Sequence, residues 1–374
     1  VHYLRMNFDG IAPTPGATEP AQPRPYSVVA DGVVMDVNRQ AWASTTSLLV
    51  HPADRYVGLR SDRTFVERGE PLVIEAIVTD LDGNAFADYP INLQAARLEW
   101  KYSQGQWREE AADTQECTVT SQTEPVTCEF KTDLGGAYRI TATVRDDRER
   151  LNESEFTRWV SGGKWPAARN VEQEQLTLIP DKASYQPGDT AEILVQSPFS
   201  PAEGLLTVSR SGILSTERFT VEDGTYTLKI PITEEQIPNL NVQVDLTGSA
   251  PRTDDSGEAI ANVPPRPAYA TGSLTLAIPP VSRTLTMTVA PAATELAPGV
   301  ETSIAVSLTN AAGEPVADAE LAVVVVDEAV LALTNYQLSD PTATFHSQRG
   351  SDVSSAYARA SIVVANLVEL ANQA

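Results

Sequence analysis

The sequence predicts an all-β chain: tandem antiparallel β-sandwich domains strung along one polypeptide. Three observations predict it. Val, Thr and Ser recur in short alternating runs, while aromatic residues make up only 6% of the chain, a composition that fits pleated sheets better than helices. Gly69, Gly188 and Gly299 each mark the same local pattern, 119 and 111 residues apart. The length, 374 residues, leaves room for about two to four domains, each able to bury its own core.

The repeat carries most of this reading, because self-similarity at a fixed period marks an array of like domains. Twelve and ten residues before each repeat glycine sits an apolar pair: Val57 and Leu59, Leu176 and Leu178, Met287 and Val289. A turn follows, from Phe65 to Gly69, through Tyr185-Gln186-Pro187-Gly188, and through Leu296-Ala297-Pro298-Gly299. Pro presets φ in such turns and Gly accepts positive φ. Five and seven residues beyond the glycine comes a second pair: Ile74 and Ala76, Ile193 and Val195, Ile304 and Val306. Spacing by two on both sides of a turn is the strand period, with one face buried. The first and third units agree further along. Thr79-Asp80-Leu81-Asp82-Gly83 and Thr309-Asn310-Ala311-Ala312-Gly313 each end a strand, with Gly83 fourteen residues past Gly69 and Gly313 fourteen past Gly299. Further short strands are predicted at Tyr138–Val144 and Thr225–Ile230.

The domain division follows. Residues 1–54 hold a Pro-rich loop from Pro13 to Pro25 and strands at Val33–Val37 and Trp42–Val50, the closing part of a preceding domain. Residues 55–168 and 169–280 are two complete sandwiches. Residues 281–374 form a shorter one whose tail, Val353 to Ala374, has a loosely helical apolar spacing. Val1 is not an initiator Met and no basic-then-apolar leader follows it, which reads as a mature segment or an excised piece.

Charge excludes one class of partner. Lys+Arg is 27 against Asp+Glu 50, a formal net charge of −23, whereas a nucleic-acid binder needs basic surface to displace counterions from phosphates. No window approaches 18 uninterrupted apolar residues, so no membrane-spanning helix is predicted. The two cysteines, Cys117 and Cys128, flank a strand–turn–strand stretch. A hairpin of that length brings the sulfurs face to face and favours a disulfide, which implies an oxidising compartment; two buried free thiols are the alternative.

The residues of chemistry do not converge. His2, His51 and His346 are scattered over separate units, and none stands in a nucleophile-plus-base context. Asp80-Leu81-Asp82-Gly83-Asn84 mimics the start of a calcium loop but lacks the later acidic positions and falls where the repeat requires a turn. The pairs Glu109-Glu110, Asp146-Asp147 and Asp254-Asp255 read as solvated surface. Trp42, Trp100, Trp107, Trp159 and Trp165 read as core or inter-domain packing residues. No catalytic, metal or cofactor-binding residue is assigned, and no small-molecule substrate is predicted.

Several segments, in order and spacing, resemble the macroglobulin-type domains of the alpha-2-macroglobulin family, particularly its bacterial branch. They begin with Val37-Asn38-Arg39-Gln40-Ala41-Trp42, Leu49-Val50-His51-Pro52 and Tyr56-Val57-Gly58-Leu59. Pro187-Gly188-Asp189-Thr190, Ser197-Pro198-Phe199, Leu205-Leu206-Thr207-Val208-Ser209-Arg210, Ile230-Pro231-Ile232 and Pro238-Asn239 continue the series. Arg266-Pro267-Ala268-Tyr269-Ala270 and Val325-Val326-Asp327-Glu328-Ala329-Val330-Leu331-Ala332-Leu333 close it. The resemblance covers nearly the whole chain. It implies a broad-spectrum endopeptidase inhibitor, a trap in which protease cleavage of a bait segment rearranges the domain array around the attacker. It also implies proteases and neighbouring domains as partners, an extracytoplasmic location (periplasmic, envelope-anchored or secreted), and no enzymatic activity. Many members carry a Cys-x-Glu-Gln thioester; here Cys117 is followed by Thr118-Val119-Thr120 and Cys128 by Glu129-Phe130-Lys131, so neither matches. The tail after Asp340-Pro341 leads towards the bait, with Arg349, Tyr357 and Arg359 as residues a protease could select. The rival reading is a structural or adhesive stalk of immunoglobulin-like modules.

Overall fold

In a computed structural model, the described residues are 25–35, 37–103, 106–163, 174–252, 260–297, 299–326, 330, 331, 333, 339 and 341–356. Nearly all regular structure among them is strand; a five-residue helix, Pro341–Phe345, is one exception. By contacts the chain divides into two compact units, one formed by Val1–Val171, Glu222–Tyr226 and Ala250–Arg266, the other by Glu172–Val221, Thr227–Ser249 and Pro267–Ala374.

In the first unit, β3 (Tyr56–Arg60), β5 (Leu72–Thr79) and β8 (Val126–Phe130) make a three-stranded sheet in the order β3-β5-β8. β4 (Phe65–Val66), β6 (Pro90–Ser103), β7 (Gln106–Thr120), β9 (Gly136–Arg145) and β10 (Leu151–Val160) make a five-stranded sheet, β4-β10-β9-β6-β7. Every second residue of β5 (Leu72, Ile74, Ala76, Val78) is buried, as are Tyr138, Ile140, Ala142 and Val144 of β9. These side chains, with Ile91, Leu93 and Ala95 of β6, form one apolar cluster between the two sheets, the arrangement that period-two alternation requires of a sandwich.

The second unit repeats this arrangement, except that its short edge strand precedes the first strand of the small sheet instead of following it. β12 (Thr177–Pro180), β13 (Thr190–Gln196) and β16 (Thr225–Pro231) form the small sheet, ordered β12-β13-β16. β11 (Glu174–Gln175), β14 (Ala202–Ser209), β15 (Ile213–Val221), β17 (Asn239–Ala250) and β18 (Arg266–Ala277) form the large one, β11-β18-β17-β14-β15. In both large sheets a two-residue strand runs parallel at one edge: β4 on β10, β11 on β18.

The repeated signature is a hairpin each time. Val57 faces Val78 and Leu59 faces Ala76; Leu178 faces Val195; Met287 faces Leu308 and Val289 faces Val306. Gly69, Gly188 and Gly299 take φ of 94°, 97° and 84°, the left-handed region that glycine alone enters without a Cβ penalty. The strand-ending turns match as well. Asp80 Oδ1 accepts from the N–H groups of Asp82 and Asn84 at 3.0 and 2.9 Å, and Asn310 Oδ1 accepts from Ala312 and Glu314 at 3.0 and 2.9 Å. These local bonds, led by the Asn84 side chain, hold the Asp80 carboxyl below the usual range. The calcium-like spelling is a turn in which the carboxylate binds its own backbone.

Two hairpins present much uncovered apolar surface among the described residues. β1 (Tyr26–Met35) pairs with β2 (Ala41–Val50), and Val33, Val34, Met35, Trp42, Leu48 and Leu49 are exposed. β19 (Thr286–Pro291) pairs with β20 (Ile304–Thr309), and Met287, Val289 and Ile304 are exposed. The tail helix expected from Val353 lies mostly outside the described residues, since only 353–356 are described and they carry no helix.

Two readings of the sequence are corrected. Trp42 is 72% exposed and Trp100 41%, so neither is buried in a sandwich core, which leaves inter-domain packing as the surviving half of that reading. Asp146 is not solvated surface: its side chain is 2% exposed and ties the β9–β10 turn to the segment before β3. Its Oδ2 accepts from Asp54 N at 3.0 Å and Arg150 Nε at 2.8 Å, and Oδ1 accepts from Arg148 N and Arg150 N, both at 2.9 Å. Burial alone raises this carboxyl, but the N–H donors and the Arg150 guanidinium outweigh it and leave it well below the ordinary range.

The two cysteines are disulfide-bonded, with Cα atoms 6.3 Å apart. Cys117 lies on β7 of the large sheet and Cys128 on β8 of the small one, so the bond ties sheet to sheet rather than two strands of one hairpin.

Three outcomes are expected. The charge on Asp146 stabilises the fold fully above the unfolded carboxyl pKa, and that contribution is lost as pH falls towards the depressed folded value. Asp146→Asn therefore weakens the first unit by about 2 kcal/mol at neutral pH and flattens its acid limb between about pH 4 and 2, read by urea unfolding across a pH series. The double variant Cys117→Ser/Cys128→Ser lowers stability by about 2–3 kcal/mol, measured the same way without reductant. A Cβ on Gly69 or Gly188 meets nothing within 4 Å, so Gly69→Ala and Gly188→Ala each cost only the backbone penalty, about 1 kcal/mol.

Candidate functional site

The titratable residues that could do chemistry are apart and structurally engaged. His51 Nδ1 is 2.7 Å from the Tyr56 hydroxyl, with the rings edge to face at 5.8 Å. The His346 backbone N–H closes the short helix on Thr342 O at 2.9 Å; His2 lies outside the described residues. Glu109 pairs with Arg139 at 3.2 Å and Glu110 with Lys101 at 2.9 Å, ordinary surface ion pairs on opposite faces of the sheet. Among the described residues no group of three or more His, Cys, Asp or Glu is placed to hold a metal ion. Both cysteines of the chain are joined to each other, so neither is available for a thioester.

The tail residues are placed unevenly. Tyr357 and Arg359 lie outside the described residues. Arg349 is described, and its surroundings are specific. Its side chain is exposed, but its main chain is held by strand β17. Arg349 N donates to Asn239 Oδ1 at 2.8 Å, while Arg349 O accepts from Asn239 Nδ2 at 2.9 Å and from Asn241 Nδ2 at 3.2 Å. A side-chain amide thus offers one residue the donor–acceptor pair that a neighbouring strand would offer. Asn239 is only 1% exposed, and an amide so buried requires partners of this kind.

The strand pattern explains the position of these amides. Leu240, Val242 and Val244 face the core of the second sandwich, each no more than 1% exposed. Asn239, Asn241 and Gln243 therefore stand on the opposite face of β17. On that face Gln243 Nε2 donates to Asp245 Oδ2 at 2.9 Å, and Asp245 Oδ1 accepts from the Tyr269 hydroxyl at 2.8 Å. A polar groove alongside is lined by Gln175, Thr177, Gln243, Thr271, Ser273 and Ser355. Sequence reading used Asn239 only within the family-like Pro238-Asn239 pair, gave it no role, and passed over Asn241. An alternating polar stripe opposite an apolar one signals only an outward face, and what lies on it comes from about 110 residues further along the chain.

No helix among the described residues is long and apolar enough to cross a membrane.

Comparison with known proteins places this architecture. Residues 176–333 match the family model of the alpha-2-macroglobulin bait region domain. The chain is 26% identical over 326 residues to the alpha-2-macroglobulin homolog of Nostoc sp., covering 84% of this chain and 17% of that protein. It is 22% identical over 364 residues to alpha-2-macroglobulin of Escherichia coli, covering 89% of this chain and 21% of that protein. The structure of the native conformation of the E. coli protein aligns over 87% of this chain and 21% of its own, with 18% identity and a TM-score of 0.31. The chain thus spans about a fifth of the length of the curated macroglobulins it matches. The bait-domain match begins at the residue that opens the second repeat and ends before the tail; with the similarity to macroglobulin relatives along most of the length, it supports an alpha-2-macroglobulin-family fragment.

Proposed function

We propose that the chain is scaffold within a longer protease-inhibiting polypeptide, a trap in which cleavage of a bait segment drives rearrangement of the domain array. The observation that carries the proposal is the match of residues 176–333 to a bait region domain, over a fold whose described residues hold sheets and turns with no converged reactive centre. In this reading the chain is not an enzyme. Its array comprises the end of one domain to residue 54, sandwiches over 55–168 and 169–280, and a further domain from 281 that leads towards the bait. Proteases are its external partners and neighbouring domains its internal ones; Arg349, Tyr357 and Arg359 are the protease-selectable residues of the tail.

Physical arguments support the parts. Acidic net charge and cross-strand ion pairs keep the array soluble. A disulfide between the sheets suits an oxidising, extracytoplasmic compartment. Sandwiches that each close their own core can move relative to one another while keeping their folds, as a mechanical scaffold requires.

The proposal is tested on the longer polypeptide that contains this chain. On adding trypsin or elastase, cleavage of a protein substrate should fall about tenfold or more while cleavage of a small chromogenic peptide persists. The cut whose appearance tracks the onset of inhibition should map to or beyond the tail from Asp340. Unchanged activity on both substrates, with first cuts scattered through loops of the sandwiches, would sink the trap and leave a passive stalk.

A further inference from the structure

The contacts of Arg349 are one end of a longer docking. Ser211 and Gly212, in the turn between β14 and β15, donate their N–H groups to Gly350 O at 3.0 Å and Ser351 O at 2.9 Å. Gln243 Nε2 reaches Ser355 Oγ at 3.1 Å. The segment from Arg349 to Ser355 is thus fastened to one sandwich at several points: by side-chain amides of β17 and by the backbone of a neighbouring turn. Ser211 and Gly212 both take positive φ, 51° and 124°, which lets two successive N–H groups aim at the segment.

These contacts occupy the groups an endopeptidase needs. Proteases that bind substrates in extended form do so largely by pairing with main-chain N–H and C=O groups around the bond to be cut. Here Arg349 N, Arg349 O, Gly350 O and Ser351 O are already hydrogen-bonded to the sandwich. Hydrolysis of the Arg349–Gly350 bond requires water to attack the Arg349 carbonyl carbon. The Gly350 nitrogen leaves as an amine and Arg349 keeps the carboxylate. That carbonyl oxygen is the one held by Asn239 and Asn241.

We propose that the Asn239/Asn241 face of β17 and the Ser211-Gly212 turn form an intramolecular latch that shields the Arg349–Gly350 bond, so that a protease cuts there only after the segment lifts off. Burial disfavours the Arg210 charge and the guanidiniums of Arg349 and Arg283 add to the effect, so the docked segment brings one like charge, that of Arg349, towards Arg210. A contact of a few hydrogen bonds with an opposing charge opens locally without unfolding the sandwich beneath it. The inference rests on the trap reading only for its biological role; the latch itself is defined by the contacts.

The test uses the full 374-residue chain and a trypsin time course with mass mapping of cuts. Arg39, exposed in the turn between β1 and β2, serves as the internal reference. In the parent chain, cutting at Arg349–Gly350 should lag cutting at Arg39–Gln40 by about tenfold or more, because the rate follows the population of the open form. In Asn239→Ala/Asn241→Ala the lag should largely vanish while the Arg39 rate stays unchanged. Equal rates in the parent chain, or a lag the substitutions leave intact, would overturn the latch. Should the variant misfold, amide exchange in the parent chain decides: Arg349 and Gly212 should be protected relative to Gln348, and exchange at the same rate overturns it. The latch assay needs no inhibition, so a latch that holds while the longer polypeptide fails to trap a protease would reject only the trap.

Discussion

The structure depends on one constraint: each strand must bury one face and release the other. In the first unit this is met by a three-stranded and a five-stranded sheet with Leu72, Ile74, Ala76 and Val78 set against Ile91, Leu93, Tyr138 and Ile140. Removal of that much apolar surface from water is the main favourable term in the fold. Everything outside the cluster, including turns, ion pairs and the disulfide, adjusts a sandwich that the apolar faces have already assembled. The exposed apolar residues of β1–β2 and β19–β20 show the same constraint unmet among the described residues. Strand pairing alone satisfies the backbone but gives the side chains no opposing layer.

Polar groups then fix how the layers and connections meet. Asp146 joins the β9–β10 turn to the chain entering β3, and it does so through N–H donors as well as Arg150. A buried carboxylate is tolerable because its lone pairs are filled, which is the usual condition for burying a charge. Asn239 follows the same rule on the second sandwich, where the groups that fill its amide belong to the main chain at Arg349. The two cases differ in what they fasten. Asp146 closes a turn within a fold, whereas Asn239 secures a segment remote in sequence and outside the core.

That difference bears on function. Under the proposed function, a scaffold that responds to proteolysis would need stable beads and releasable attachments, and these arise from different interactions. The beads rest on buried area, which a protease cannot reach without global unfolding. The attachment at Arg349 rests on a few hydrogen bonds at a surface, which open at far lower free energy. No reactive side chain is required for such a response, and both cysteines are committed to each other across the sheets.

The sequence by itself determined the fold class and the first hairpin of each repeat. Period-two alternation and a glycine that must take positive φ are local properties, so Leu59, Gly69 and Ile74, and their counterparts at Leu178, Gly188 and Ile193, were readable in place. The turns at Asp80 and Asn310 were readable for the same reason, since each side chain bonds only its own near neighbours. Tertiary structure alone decided which sheet each strand joined. The Cys117–Cys128 bond therefore runs between sheets although the two residues are only 11 apart in sequence. It also decided that Asp146 is buried while Asp147 beside it is exposed, and that Asn239 meets Arg349. Burial and pairing of polar groups depend on what folds back over them, and a local pattern carries no information about a partner that arrives about a hundred residues later.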